Sequence, residues 1–426
     1  MIQINRKEDC VGCDACVQRC PKGCISMKED EQGFLYPVVD LEKCIDCHLC
    51  EKVCPVINQA KQGKPIATYA AKNHDPEIQE SSSSGGAFFA LAQKVIEEGG
   101  VVFGAKFNKD WDVVHGYAET IEEVKAFQGS KYVQSSIGET YVEAEKFLKS
   151  GRKVLFSGTP CQIAGLKRYL MKDYGEMLLT VDIVCHGVPS PLVWRDYLKF
   201  IFRAKAEKSE KDTDSHATLN PERIDDISRI SFRDKRISWE KFGFSVVATD
   251  RNCGQNPDPR FTKCDNDERE ILYEPHAKNL FMQGFLKNLY LRPSCYVCPA
   301  KCGKSTSDIT LGDFWKEQEF YPDYYQRGLN SLILTNSEKG SRLLSSIGTI
   351  ELEQAEYENA LRGNSAIERS VQCPKQYSTF WKLYYQNGIP AITEVCKSMQ
   401  PKFIEKCYRH LKSVSGIFLR KIHIIR

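Results

Sequence analysis

The sequence predicts a small α+β domain at the N terminus, a larger α/β domain built on a parallel or mixed sheet, and a helical C-terminal tail. Three observations carry this reading. Two runs of cysteines with identical spacing lie between Cys10 and Cys54. From Ile66 onward, short apolar stretches that read as strands alternate with stretches of helical periodicity. Residues Pro401–Arg426 then carry Lys402, Lys406, Arg409, Lys412, Arg420, Lys421 and Arg426 against Glu405 alone among the acids.

The first run is Cys10, Cys13, Cys16, Cys20-Pro21 and the second Cys44, Cys47, Cys50, Cys54-Pro55. Each is Cys-x2-Cys-x2-Cys-x3-Cys-Pro, the bacterial ferredoxin spacing, in which three thiolates of a run hold one [4Fe–4S] cube and the fourth crosses to the other. Cys10, Cys13, Cys16 and Cys54 are therefore expected on one cube, and Cys44, Cys47, Cys50 and Cys20 on the second. Zinc prefers paired Cys-x2-Cys ligands, and disulfides need no proline in register, so both alternatives fit the pattern less well. Cys24 falls outside it and reads as a small buried thiol. Residues Gly33–Asp40 alternate like the strand connecting two cluster motifs, and Lys61–Pro65 read as a linker. Residues 1–60 are thus expected to form an α+β, ferredoxin-like iron–sulfur domain.

The chain has 426 residues and nineteen cysteines, with no apolar signal segment at Met1–Gln18 and no apolar run long enough to span a bilayer. These features predict a cytoplasmic protein in which cysteine means metal rather than disulfide. A net charge of +3, with no Lys/Arg block interleaved with aromatics in the body of the chain, argues against nucleic acid as a partner.

Beyond residue 66, Ala67–Ala71 reads as a strand. Ser81-Ser82-Ser83-Ser84-Gly85-Gly86 then opens a helix with Phe88, Leu91, Ala92, Val95 and Ile96 on its apolar face, ended by Gly99-Gly100. Such a helix start presents backbone N–H groups and hydroxyls that suit a pyrophosphate, although a plain N-cap uses the same residues. Val101–Ala105 is the next strand. Residues 153–166 read as strand, tight turn and helix, and Leu178–Val184 as a further strand, so the two strands should pair in parallel through a right-handed crossover. That puts Cys161 and Cys185 at one sheet edge, just past the carboxyl ends of their strands, where open α/β sheets hold ligands; the alternative is two buried small residues. Arg203–Glu222 is charged and reads as a solvated excursion. Strand-like pieces follow at Ile230–Phe232 and Phe242–Val247. Cys295-Tyr296-Val297-Cys298 and Cys302 then form a third ligand group, either a structural zinc site or, completed by Cys161 and Cys185, a third [4Fe–4S] centre. The basic tail suits an anionic membrane surface, a partner protein, or the protein's own core.

Ser84-Gly85-Gly86, Gly129–Ser135 (Gly-Ser-Lys-Tyr-Val-Gln-Ser), Gly158-Thr159-Pro160-Cys161-Gln162, Cys185-His186-Gly187 and Cys295–Cys298 with Ser307-Asp308-Ile309 together resemble the family of coenzyme F420 hydrogenase/dehydrogenase beta subunits, in the same order and nearly end to end. The resemblance implies an α/β flavin-binding domain with a [4Fe–4S] cluster beside the FAD. It divides the remaining chain into an N-terminal part of the family core (66–200), a C-terminal part with third-cluster ligands (221–370) and a basic helical tail (371–426). It implies Ser83, Ser84, Gly85, Gly86, Ser130, Lys131, Tyr132, Gln134, Ser135, Gly158 and Thr159 as cofactor contacts. Cys161, Cys185, Cys295 and Cys298 are implied as cluster ligands, with Cys302 as the substitute. Asp313-Phe314-Trp315 is typical of a bacterial branch without hydrogenase partners, which puts deazaflavin in doubt. The expected function is an FAD-dependent iron–sulfur oxidoreductase exchanging electrons with a ferredoxin, a deazaflavin or a nicotinamide, with a link to surface-polysaccharide biosynthesis. The competing expectation is an electron-transfer subunit without a substrate site of its own. Lys131 and Tyr132 would then attend a reduced flavin, and His186 a cluster sulfur; each also reads as an ordinary surface or structural residue.

Overall fold

The two cysteine runs are joined through a two-stranded antiparallel sheet, β1 (Ile25–Glu29) and β2 (Leu35–Val39), in the computed structural model, which describes residues 1–209, 224–249, 268–325 and 330–399. Asp30 makes the hairpin turn: its Oδ1 accepts from the N–H groups of Gln32 (3.0 Å) and Phe34 (2.9 Å), and Gly33 takes the left-handed conformation (φ +81°) that the turn requires. The runs themselves repeat one backbone trick. Gly12 and Asp14 (φ +66° and +58°) follow Cys10 as Asp46 and His48 (φ +50° and +57°) follow Cys44. Left-handed conformation costs a non-glycine residue about 1 kcal/mol or more, so its recurrence at matching places marks loops shaped around something other than their own comfort.

The rest of the chain is organised by one mixed sheet of eight strands. In chain order these are β3 (Ala67–Asn73), β4 (Val101–Phe107), β5 (Val113–Ala118), β6 (Val154–Gly158) and β7 (Leu178–Ile183), then, after the strands β8 (Ile227–Asp234), β9 (Gly243–Thr249) and β10 (Glu268–Pro275) of a separate sheet, β11 (Ile309–Asp313), β12 (Ser331–Thr335) and β13 (Ile350–Ala355). The spatial order is β13-β3-β12-β11-β7-β6-β4-β5, with β4–β6, β6–β7 and β7–β11 parallel and the remaining pairs antiparallel. β6 and β7 pair in parallel across the helix Pro160–Leu170, as strand, helix, strand requires. Their buried runs Val154-Leu155-Phe156 and Leu178–Asp182 suit strands covered on both faces. Val154 and Phe156 face the helices 140–149 and 160–170, while Leu155 faces the helix Ala87–Glu97, so alternation along one strand feeds two cores.

Strands from before residue 200 and after residue 308 thus share one sheet. The intervening β8–β10 form a three-stranded antiparallel sheet whose core (Trp194, Phe232, Phe244, Phe281, Tyr290) is closed by the helices Tyr377–Asn387 and Pro390–Ser398 through Phe380, Trp381, Ile392 and Val395. Those two helices lie in the segment expected as a tail, and they are part of the core. The basic stretch Pro401–Arg426 and most of the charged stretch 203–222 lie outside the described residues. Before the serine–glycine segment the structure has a helix that the periodicity does not suggest, Pro76–Ser81, capped by Asp75 (Oδ1 to Glu77 N–H, 2.8 Å) and started by Pro76. The segment is therefore a loop between two helices.

The N-terminal domain is clamped to this body. Gln18 Oε1 accepts from the N–H groups of Tyr141 (3.0 Å) and Val142 (3.1 Å) at the start of the 140–149 helix, and Asp14 Oδ2 from Gly138 N–H (3.2 Å). Tyr377 donates to Gln32 Oε1 (2.7 Å) and Ser190 to the Gln32 carbonyl (2.5 Å). Val11, Cys13, Ala15 and Val53 sit in the same apolar cluster as Phe156, Ile163 and Leu166. Among the described residues no helix is long and apolar enough to cross a membrane.

Candidate functional site

All sixteen cysteines among the described residues are free thiols, and twelve of them fall into three groups. Cys10, Cys13, Cys16 and Cys54 line one small cavity with Ile2, Val11, Pro37 and Pro55. Cys20, Cys44, Cys47 and Cys50 line a second with Pro21, Ile25 and Leu49. Each group takes three cysteines from one run and one from the other. Cys24 stands beside the second group, its Sγ 3.3 Å from that of Cys20. Two backbone N–H groups donate to these sulfurs: Ile2 to Cys50 Sγ (3.2 Å) and Gly12 to Cys10 Sγ (3.4 Å).

The third group is assembled from distant segments. Cys161 is in the first turn of the helix Pro160–Leu170, Cys185 follows β7, and Cys295 and Cys298 belong to the turn beginning at Pro293. Thr159 caps the first of these: its Oγ1 and backbone N–H meet Gln162 Oε1 at 3.0 and 2.9 Å, and its Oγ1 is 3.2 Å from Cys161 Sγ. Val188 N–H donates to Cys295 Sγ (3.4 Å). Burial pushes the thiol of Cys161 up to about 12, with Cys298 and Cys185 adding to it, and that of Cys185 up to about 11, with Cys298 adding. Burial, with Cys185 and Cys161 adding to it, pushes Cys295 well above the ordinary thiol value too. Burial and mutual charge thus raise Cys161, Cys185 and Cys295 together, and with Cys298 beside them the four side chains are a donor set that fits a multiply charged metal centre, which would hold them as thiolates. Among the described residues no three Cys, His, Asp or Glu side chains converge on one point as a lone ion requires. In the N-terminal domain the sulfurs ring cavities instead, and there the donor sets fit cubane clusters. Cys302 is directed elsewhere, its Sγ donating to the Glu368 carbonyl (3.2 Å). The buried Lys301 stands beside the third group, its Nζ donating to the carbonyls of Cys185 and Ala366.

The residues implied as cofactor contacts divide into two sets. Ser83 and Ser130 join their loops, with hydroxyls 2.8 Å apart and Ser130 N–H donating to Ser83 Oγ (2.6 Å). Ser84 Oγ donates to the Asn330 carbonyl (2.7 Å), and Gly86, at φ +84°, lies where a Cβ would stand 3.0 Å from that of Asn73. Gly85 accepts from Asn73 N–H through its carbonyl (2.6 Å), and Asn73 Nδ2 has no partner among the described residues. Lys131 is pushed down to about 7 by burial and donates to the carbonyls of Gln128 (2.9 Å) and Gly129 (3.2 Å). Tyr132 stacks on Phe285 with ring centres 4.9 Å apart. This corner, with hydroxyls, a left-handed glycine, a helix start and a buried amine, has the chemistry to hold a pyrophosphate. Gln134, Ser135, Gly158 and Thr159 lie toward the cysteines: Ser135 Oγ accepts from Gln162 (2.9 Å), and Gln134 Nε2 donates to the Val11 carbonyl (3.2 Å). His186 bonds Asn288 Oδ1 (2.6 Å) and packs edge-on against Phe285.

Strand directions bring both sets to one edge. β3, β4, β6, β7 and β11 all run the same way, and their carboxyl ends carry Asn73, Phe107, Gly158, Ile183 and Asp313. Two residues there escape sequence reasoning. Arg233, delivered by β8, makes a buried ion pair with Asp313 (2.6 Å), its guanidinium 4.3 Å from the ring centre of Phe242, beside the stacked Trp239 and Trp315. Glu317, 2% exposed, accepts from Asn330 Nδ2 (2.7 Å), and burial pushes its carboxyl up to about 7. A carboxyl raised from 4.5 to about 7 in the folded state favours folding when protonated, so its contribution is lost as pH rises across that window. A Glu317→Gln variant is therefore expected to melt at least about 2 °C above the wild type at pH 8, a gap that closes at pH 5; thermal unfolding across that range checks it.

Two halves of one family match the chain, both belonging to the beta subunit of coenzyme F420 hydrogenase/dehydrogenase: its N-terminal part over residues 68–140 and its C-terminal part over residues 151–358. A 4Fe-4S dicluster domain matches residues 9–58. Among curated relatives, the F subunit of the F(420)H(2) dehydrogenase of Methanosarcina mazei is 22% identical over 202 residues, 43% of this chain and 55% of that protein. A coenzyme F420-dependent sulfite reductase of Methanocaldococcus jannaschii is 26% identical over 200 residues, 45% of this chain and 30% of that one. An uncharacterized ferredoxin from the same organism is 41% identical over 49 residues, 12% of this chain and 62% of its own length. The chain thus spans about half or less of the first and second of these relatives.

Proposed function

Because the chain belongs to the family of coenzyme F420 hydrogenase/dehydrogenase beta subunits and carries a 4Fe-4S dicluster domain ahead of the family core, we propose that it is an iron–sulfur flavoprotein oxidoreductase. Three four-cysteine sets would hold [4Fe–4S] clusters, which would supply one-electron transfer, and the Ser83–Ser130 corner would hold FAD. The observation that carries the reading is the meeting of Cys161, Cys185, Cys295 and Cys298 at the sheet edge that also holds the Ser83–Ser130 corner. Bound FAD supplies the conversion between one-electron carriers and hydride. The chain's own residues do the rest. Ser83, Ser84, Gly85, Gly86 and Ser130 bind the pyrophosphate. Lys131, once an anion is beside it, is drawn back to its charged form and balances negative charge at the site. Tyr132 supplies an aromatic wall, and Thr159 and Gln162 orient the helix that presents Cys161.

The acceptor in this reading is a small two-electron carrier such as a deazaflavin or nicotinamide, or a sugar-linked substrate of surface-polysaccharide synthesis. A second reading, a relay that hands electrons to a partner protein, draws on the M. mazei relative, which is one subunit of a dehydrogenase. Anaerobic purification with iron, sulfide and flavin counted per chain tests the core proposal. About twelve irons and one FAD are expected; about eight irons would remove the third cluster, and absence of flavin would remove the flavoprotein. Rapid reoxidation of the dithionite-reduced protein by deazaflavin or nicotinamide supports the first reading over the relay.

A further inference from the structure

A single guanidinium occupies the seam between the N-terminal domain and the third cysteine group. Arg292 is 1% exposed, and its fork closes on three different segments: Nε donates to the Cys10 carbonyl (2.8 Å), Nη2 to the Leu35 carbonyl (2.9 Å) and Nη1 to Gln134 Oε1 (3.0 Å). Its plane lies over Tyr36, with 4.3 Å to the ring centre. The main chain of the same residue builds the third site. Arg292 N–H donates to the Val188 carbonyl (3.0 Å), three residues beyond Cys185, and the Arg292 carbonyl accepts from Cys295 N–H (2.9 Å). A Cβ on Gly12, between Cys10 and Cys13, would meet Arg292 Nη1 at 2.8 Å, so the cation is pressed directly against the first cysteine loop.

All three side-chain hydrogen bonds go to neutral oxygens, and the buried carboxylate of Asp14, close enough to feel the guanidinium, makes no hydrogen bond to it among those described. Burying a cation this way costs several kcal/mol unless negative charge stands nearby. A cubane held by four thiolates is net negative and gains another negative charge on reduction. Resting on the assignment of clusters to these cysteines, we infer that Arg292 is the shared counter-cation of two clusters, the one at Cys10, Cys13, Cys16 and Cys54 and the one at Cys161, Cys185, Cys295 and Cys298, and that it raises the reduction potentials of both. It is a positioning residue as well, since one side chain ties the first cluster loop to Gln134 while its backbone sets the Cys295 turn. The second ferredoxin cluster, at Cys20, Cys44, Cys47 and Cys50, shares no contact with Arg292 among those described, so its potential is the internal control.

The test is a redox titration of the whole purified protein followed by electron paramagnetic resonance, after iron counting has established how many clusters each chain holds. In Arg292→Gln the one-electron reduction equilibria of these two clusters are expected to shift toward the oxidised form by about tenfold, about 59 mV each, with the second ferredoxin cluster unmoved. Arg292→Lys keeps the charge, so its two potentials are expected to return toward wild type while its melting temperature falls with the lost fork. Equal shifts in all three clusters, no shift in any, or the same shift in the Gln and Lys variants would overturn the inference. Should Arg292→Gln lose iron, Gln134→Glu carries the test. It puts a carboxylate on the guanidinium at its Nη1 contact and is expected to shift the same two clusters toward the oxidised form; potentials that stay unmoved, or that move equally in all three clusters, overturn the inference. Because wild-type iron is counted beforehand, a missing cluster is distinguished from a cluster that ignores Arg292.

Discussion

A Cys161→Ser variant purified without oxygen is expected to hold about eight irons per chain where the wild type holds about twelve, and to keep the spectrum of both ferredoxin-type clusters. The size of the loss follows from how the third group is built. Its four sulfurs come from a helix start, a strand end and one turn, with nothing but the fold to hold them in register, and the first of them sits where the Thr159–Gln162 capping box fixes the helix. Serine keeps the size and the Thr159 contact and removes the soft anionic ligand, so the change tests coordination rather than packing. Cys302→Ser is the matched control. Its sulfur donates to the Glu368 carbonyl, a bond a hydroxyl also makes, and all twelve or so irons should remain. Iron lost from Cys302→Ser and kept in Cys161→Ser would exchange the two residues in the ligand set.

How far the sequence discloses this arrangement depends on how local the physics is. The ferredoxin pattern is legible because cluster ligation imposes a spacing on neighbours in the chain, and the crossed grouping of Cys54 with the first run and Cys20 with the second follows from that spacing alone. The parallel pair β6–β7 is legible for a similar reason, since two apolar runs flanking a helix leave one handed connection. What pairs at long range is not. Nothing local indicates that β3 will be inserted between β12 and β13, nor that the helices after Tyr377 will close the core around Trp194. Arg292 is invisible in the sequence because an arginine before Pro-Ser-Cys resembles any surface cation, and its meaning lies in contacts with residues more than 150 positions away. Lys301, Arg233 and Glu317 are hidden in the same way: a charged side chain announces burial only through its partners. The serine–glycine loop reads as a helix start, which it is, but only resemblance ties its companion Ser130 to it, and the hydrogen bond between the loops gives that tie a physical basis.

The distance between the first and third cysteine groups hangs on one glycine. Gly165 lies four residues after Cys161, about one helical turn, and a Cβ there would stand 2.8 Å from Cys13 Cβ, 2.9 Å from Cys13 Sγ and 3.0 Å from the Tyr141 hydroxyl. In an ordinary helix interior, Gly→Ala gains about 1 kcal/mol. Here the added methyl meets a cysteine that, once it holds a cluster, cannot swing aside, and overpacking of this kind costs about 1–3 kcal/mol. Gly165→Ala should therefore be neutral to about 2 kcal/mol destabilising, and Gly165→Val worse, because the branched side chain has the hydroxyl of Tyr141 on its other flank. The kinetic consequence is the more informative one. If electrons cross from the N-terminal domain to the third cluster along this contact, pushing the helix away from Cys13 slows that crossing without removing either cluster. Stopped-flow reduction of the iron-loaded variant should show the ferredoxin-type clusters reduced at the wild-type rate and the third cluster and flavin lagging behind. Gly348→Ala, whose Cβ would point into open space, should leave every phase unchanged. A Gly165→Ala protein with normal melting and normal phases would mean that the clusters communicate by another route, across the Arg292 seam rather than along the helix.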